Sequence, residues 1–395
     1  MLMTPAEIRD GGLLQLLADI LRPDMDLSAT GALRLRLMRR GVSWQALIDL
    51  ARGQGVLLPL IFALRGRGLL PPIPRSIENC DSHVTVRLGK IYREHLAQRQ
   101  TDKMQLERVV LILDGAGIAP LILKGARYLI QPVASWCDAR SMADFDILVK
   151  PSDAERAFAA LEAEGYRQGP SDSFLYGPEH SHHMPVLECP GQLALEIHTH
   201  ALSATGQEIM STQQVWARAT RASTGSYFTL PIKWHARHGL LHHQIQDRGH
   251  IQRTLNIKGL WEWTMLACEF TRDDWDAIAA HMRAARASDV LESWLVQSHR
   301  LFGFEIPCSQ AISATARVHA DATFRIASSP YWMRRTRYIA DQLRFSFAPE
   351  TLARKYGVPR SRISLLHAGR DVIDLLRRHR GKVLQRLTGY RDQLW

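Results

Sequence analysis

Asp144-Phe145-Asp146 opens a run to Val149 that starts with polar–apolar alternation and reads as a strand. Side chains two apart on a strand share a face. Two carboxylates on one face repel unless a cation lies between them, and a divalent metal supplies that charge. Magnesium takes oxygen ligands from few protein groups and leaves places for substrate phosphates. A third carboxylate nearby completes the set that two-metal phosphoryl or nucleotidyl transfer needs. Glu196 is the candidate. In Leu193-Ala194-Leu195-Glu196-Ile197-His198 the branched residues face one way, and Ala194, Glu196 and His198 the other. A lone acid on an apolar strand is costly to bury without a partner, and a metal shared with Asp144 and Asp146 would be one. The plain alternative for such a pair, taken alone, is a solvated strand edge.

Phosphate-binding candidates lie upstream. Ala119 to Leu123 is a short apolar run ending in Lys124-Gly125, a buried strand turning into a helix. Glycine lets a phosphate approach the backbone, and a helix start offers free N–H groups. Lys124 adds a point charge. Arg127 and Arg140 are further phosphate candidates, Arg140 four residues before Asp144. His198 shares its predicted direction with Glu196 and is placed to contact a phosphate or orient an acceptor. The other histidines cluster at His180, His182, His183, His200, His235, His238, His242, His243 and His250 without H-E-x-x-H spacing. They read as hydrogen-bonded or exposed rather than as zinc ligands. Trp261, Trp263 and Trp275 read as core before they read as a base-stacking surface.

The elements that must position these groups follow from pattern. Residues 5 to about 115 look helical. Ser43 is a plausible cap before Trp44, and a long helix from about His83 stops at Asp114-Gly115. Strands, helices and turns then alternate from Ile118. A helix runs from Pro151 to about Glu164, and strands at His183–Leu187 and Leu193–His198 meet at a Pro190-Gly191 turn. That succession is an α/β unit of mixed sheet type. From about Ser211 to the end the pattern is helical again. The expected domains are an N-terminal helical region (1–115), an α/β core (116–205), a helical domain (206–333) and a basic helical C-terminal region (334–395).

Composition bounds the rest. The chain has 395 residues and a net charge of +11. From Arg334 to Trp395 there are 15 basic and 5 acidic residues, which leaves 35 basic and 34 acidic in the body. The global charge is therefore no argument for nucleic-acid binding by the whole protein. Five scattered cysteines without a CxxC pair fit a reducing cytoplasm rather than a disulfide framework. The longest uncharged apolar stretch, Gly55 to Leu64, is half a membrane span. The expectation is a cytoplasmic protein without a membrane partner.

The same residues carry a family resemblance. Ile122-Leu123-Lys124-Gly125-Ala126, then Arg140-Ser141-Met142-Ala143-Asp144-Phe145-Asp146-Ile147-Leu148-Val149, then Pro151 and Gly165-Tyr166, resemble the bacterial nucleotidyltransferase-family proteins. These are a branch of the DNA polymerase beta-like superfamily. Trp44 to Leu60, His182 to Pro185 and Leu195 to His198 extend the likeness. It implies an α+β fold: a polymerase beta-like core, a small mixed sheet with helices, flanked by N- and C-terminal helical regions. It implies metal-dependent transfer of a nucleoside monophosphate from an NTP to a hydroxyl acceptor by a two-metal mechanism. Asp144 and Asp146 would hold magnesium or manganese, with Glu196 as the third carboxylate, a ligand or the base. Lys124 and Gly125 stand where the superfamily places its phosphate turn. Lys-Gly replaces the commoner Gly-Ser, with a longer gap to the DxD. Many branch members carry an Asp in the downstream helix where this chain has Glu262.

A second class of function rests on the tail. Thr351 to Ser364 is similar to a helix-turn-helix, with basic residues placed for phosphates. On that alternative the protein is a non-catalytic regulator that binds nucleic acid. A basic cap packed on the catalytic core is the structural alternative. The presence of Asp144, Asp146 and Glu196 together favours the enzyme.

Overall fold

The computed structural model describes residues 5–38, 42–72, 83–169, 182–307, 310–356 and 359–362. The chain divides into two compact units: one of residues 1–171 and 182–328, the other of residues 172–181 and 329–395. Among the described residues, no helix is long and apolar enough to cross a membrane.

Helices Pro5–Leu21, Leu27–Met38, Trp44–Gly53, Leu57–Gly66 and the 32-residue Val84–Gly115 build the N-terminal part of the first unit. Ser43 caps the third of these, its side chain accepting from the Ala46 N–H at 3.2 Å. The long helix stops as the sequence predicts, but the left-handed residue is Gly117 (φ +70°). The Gly117 and Ile118 N–H groups return to the Asp114 and Leu113 carbonyls, both at 2.8 Å, the paired bonds that close a helix C-terminus.

Seven short strands follow among the described residues: β1 (Leu121–Ile122), β2 (Asp144–Leu148), β3 (Arg167–Gln168), β4 (Leu187–Glu188), β5 (Ala194–His198), β6 (Thr220–Arg221) and β7 (Phe228–Thr229). They form one sheet of mixed parallel and antiparallel pairs, in the order β3-β4-β5-β2-β1-β7-β6, and the fold is α+β. β2 runs parallel to β5 and antiparallel to β1. Two differences from the sequence reading stand out. The strand expected from His183 shortens to β4, with His183 making an isolated bridge to His198. And the stretch from Ser211, read as helical throughout, contains β6 and β7. Two-residue strands carry no measurable alternation, so pattern alone could not find them; β7 lies between β1, parallel, and β6, antiparallel.

Each sheet face packs differently. Phe145 and Ile147 of β2 and Leu195 and Ile197 of β5 turn to one face. There they meet Leu106, Val109, Val110 and Leu113 of the long helix and Ala157 and Leu161 of helix Ala154–Ala163. Leu121, Leu123 and Leu148 belong instead to the large helical core. That core gathers the N-terminal helices with helices Ile232–Leu241, Ile257–Ala267, Arg272–Ala284 and Ser288–Phe302. Trp261, Trp263 and Trp275 are buried in it, Trp261 edge-on to Trp136 at 5.4 Å and Trp263 to Trp275 at 6.0 Å.

The second unit contains helices Tyr331–Ser346 and Pro349–Tyr356 and the short turn Arg360–Arg362. Of the expected helix-turn-helix, the first helix is present; residues 357–358 and 363–364 lie outside the described residues, as does most of the basic C-terminal region.

Candidate active site

Alternation puts Asp144 and Asp146 on the β2 face opposite Phe145 and Ile147, and the parallel register sets Asp146 beside Glu196 and Leu148 beside His198. The donor atoms of Asp146, Glu196 and His198 all lie within 4.8 Å of one another, a group that could hold a metal ion. His198 Nε2 is 2.9 Å from Asp146 Oδ1 and 3.3 Å from Glu196 Oε2. Lys124 Nζ donates to the same Asp146 oxygen at 2.6 Å. Asp146 and His198 are 3% and 1% exposed, Glu196 23%, so the group opens to solvent on the Glu196 side. Asp144 stands outside this tight group, one strand pleat away on the same face.

Charge explains the protonation states. Burial pushes the Asp146 carboxyl up, but the hydrogen bond from His198 and the Lys124 charge outweigh it and hold it far below the usual carboxylate range. The His198 hydrogen bond lowers Glu196, against the opposing effect of burial. Burial would lower His198; its bonds to Asp146 and Glu196 win and raise it. Asp144 is raised, first by burial and then by the charges of Asp146 and Glu196. Lys124 and Arg140 offset this only in part, and a cation would supply the rest.

The upstream turn differs from expectation in one respect. After β1 the chain makes a three-residue 3₁₀ turn, Lys124–Ala126, and a single helical turn, Arg127–Ile130. So short a helix has little dipole to offer an anion. Lys124 instead sits at φ +44°, an unusual conformation for a side-chain-bearing residue. Gly125 is tight: a Cβ there would lie 1.9 Å from Arg140 Nη1 and 2.7 Å from Met142 Cγ. Arg140 thus presses on the turn while its Nε donates to Glu262 Oε1 at 2.9 Å.

The structure does not bring Arg127 to the carboxylates. It is 4% exposed, its neighbours are Tyr128, Cys137 and His235, and its Nε and Nη1 have no hydrogen-bond partner. The sharp turn at Lys124–Ala126 points it inward, away from the face where a phosphate would approach.

Lys258 is a residue that sequence reasoning missed. It opens helix Ile257–Ala267, and its Nζ donates to the Ser141 carbonyl at 2.9 Å, beside Arg140 and within the field of Asp144. Burial and the Arg140 charge lower it to about 8. A lysine in the first turn of a helix that also carries Glu262 was the available signal, but nothing local tied it to residues some 117 positions upstream.

The sequence profile of an uncharacterised nucleotidyltransferase family matches residues 40–303. The chain belongs to that family and is a nucleotidyltransferase, a transferase of phosphorus-containing groups. The family implies an NTP as substrate. No curated protein and no solved structure matches the chain.

Proposed function

We propose that this protein moves a nucleoside monophosphate from an NTP to a hydroxyl acceptor, on a polymerase beta-like core spanning residues 116–205 and with magnesium or manganese. The observation that carries the reading is the convergence of Asp146, Glu196 and His198 on the face that also bears Asp144, next to the Lys124–Gly125 turn.

Asp144, Asp146 and Glu196 are the residues that would hold the two divalent ions of the expected mechanism. When bound, such ions neutralise charge on the transferring group and make the acceptor hydroxyl easier to deprotonate. The chain's own residues do the rest. Gly125, lacking a side chain, lets the Arg140 guanidinium close on the turn, where both would meet the triphosphate. Lys124 and Arg140 supply positive charge on either side of that turn, and Lys258 extends it. The low pKa of Glu196 suits it to holding a cation rather than to accepting a proton. In the transfer the acceptor oxygen bonds the α-phosphorus in line. The bond to the bridging α–β oxygen breaks, pyrophosphate departs, and the acceptor's proton passes to solvent.

The acceptor is a small molecule, a peptide, a protein or an RNA end. The test is incubation with each labelled NTP, either metal, and cell extract, followed by mass determination of whatever becomes modified. Asp144→Asn serves as the control. Label transfer by the wild type and none by the variant supports the reading; equal transfer by both sinks it.

A further inference from the structure

The donor set at the carboxylate edge contains a nitrogen, and this has consequences for which metal it prefers. We propose that His198 is itself a ligand, so that the site binds its cation through oxygens of Asp146 and Glu196 and through His198 Nε2, and selects manganese over magnesium. The proposal rests on the metal-dependent reading above and goes beyond it.

Geometry comes first. Atoms on adjacent corners of an octahedron with bonds of ~2.1 Å are about 3.0 Å apart. His198 Nε2 stands 2.9 Å from Asp146 Oδ1 and 3.3 Å from Glu196 Oε2. Those are the separations of neighbouring ligands around one ion, already present in the chain's own side chains. Lys124 Nζ donates to the same Asp146 oxygen at 2.6 Å, so an ion bound there shares that carboxylate with the Lys124 ammonium.

His198 is also fixed in place. It is 1% exposed, and its ring packs against those of His182 at 5.1 Å and His183 at 5.5 Å. Its backbone is pinned by the bridge to His183 and by the Val149 N–H, which donates to its carbonyl at 2.9 Å. The ring therefore has no room to swing away and leave the carboxylates alone with an ion. Its Nδ1 is buried without a hydrogen-bond partner. Between two carboxylates Nε2 carries the proton, and an ion entering there would take that proton's place, leaving the free Nδ1 to keep the other.

Ligand chemistry supplies the selectivity. Magnesium dehydrates reluctantly and takes oxygen almost exclusively, whereas first-row transition ions accept imidazole readily. Two carboxylates and one imidazole suit manganese, which keeps the octahedral preference of magnesium and tolerates nitrogen. A purely carboxylate site would not discriminate in this way.

The experiment uses the full chain with manganese and magnesium chlorides alone, without nucleotide. Manganese binding is followed by loss of the free-ion electron paramagnetic resonance signal, magnesium by competition, and the ligand atoms by pulsed measurement of nitrogen coupling to the bound manganese. Wild type should show imidazole nitrogen coupling. His198→Gln should lose that coupling, with the manganese-to-magnesium affinity ratio falling about tenfold or more. Asp146→Asn should bind neither ion well. Manganese bound in an Asp146-dependent way without nitrogen coupling in the wild type would overturn the proposal, reduce His198 to a positioning residue and leave the transfer reading intact. Coupling that persists in His198→Gln would equally overturn it, assigning the nitrogen elsewhere. Unchanged binding in Asp146→Asn would overturn the metal-dependent reading itself. The wild-type nitrogen measurement decides the question even if the His198 variant does not fold.

Discussion

Asp144 and Lys258 show two ways in which a single side chain comes to a candidate site. Asp144 was visible because its partner in the motif is two residues away, and a strand's period alone puts both on one face. Replacing it by asparagine keeps shape and hydrogen bonding but removes a charge that the fold already disfavours. Asp144→Asn should therefore fold at least as stably as wild type and transfer no label, checked by thermal unfolding beside the transfer assay. Lys258 was invisible because its contacts are with the loop before β2. Its charge is depressed by burial and by Arg140, so Lys258→Met should not destabilise the fold. If Lys258 faces the triphosphate, NTP affinity should fall about tenfold, or ~1.4 kcal/mol. Calorimetric titration with a non-hydrolysable NTP reads this directly, and an unchanged affinity would remove Lys258 from the site.

At the scale of elements, the turn after β1 is the sensitive piece. Sequence placed Lys124-Gly125 at a strand end, and the structure keeps it there, with the Leu123 N–H bonded to the Asp146 carbonyl at 3.0 Å. What sequence could not supply is why glycine is needed. A Cβ at Gly125 meets the Arg140 guanidinium, which is itself tied to Glu262. Gly125→Ala should push Arg140 off Glu262 and cost about 1–3 kcal/mol in denaturant unfolding, with a larger proportional loss of NTP binding. If unfolding and binding both stayed at wild-type values, the turn would have room that these distances deny it. The β2–β5 pair was legible for a different reason. Both strands alternate between an apolar face and a functional face, and a slip of one residue would bury Glu196 among Phe145, Ile147 and Leu161. The hydrophobic pattern therefore sets the register that brings Asp146 and Glu196 together.

Across the whole molecule, the histidines are the collective feature. Their spacing predicts hydrogen-bonded or exposed rings, and His235 and His238 are buried. Burial, with help from His198 and His183, lowers His182 to about 2; burial and His242 lower His238 to about 3; burial holds His235 well below its ordinary value. Neutral His238 donates its Nε2–H to the Ala201 carbonyl at 2.9 Å. In the unfolded chain each would titrate near pH 6.5. Between the folded and unfolded values the unfolded chain binds more protons, so stability rises with pH across that window. The contribution is complete above about pH 6.5 and is lost as pH falls toward the folded values. Unfolding free energies should therefore drop steadily from about pH 7.5 to about pH 5, and His238→Gln should flatten that slope. A slope unaffected by the substitution would mean that His238 takes up a proton without cost.

Local chemistry and local period were enough to determine the acidic strand, the third carboxylate on β5, the lysine–glycine turn and the helical surroundings. Each depends on residues a few positions apart, where strand and helix geometry fix direction. Other features needed the tertiary structure. Arg140 finds Glu262 at 122 positions' distance; Lys258 reaches Ser141; β7 joins the sheet beside β1; Arg127 turns inward; and His198 Nε2 comes within 3.3 Å of both carboxylates. These are contacts between segments that no periodicity relates. Their energies come from burial and charge pairing, which exist only after the chain has closed on itself.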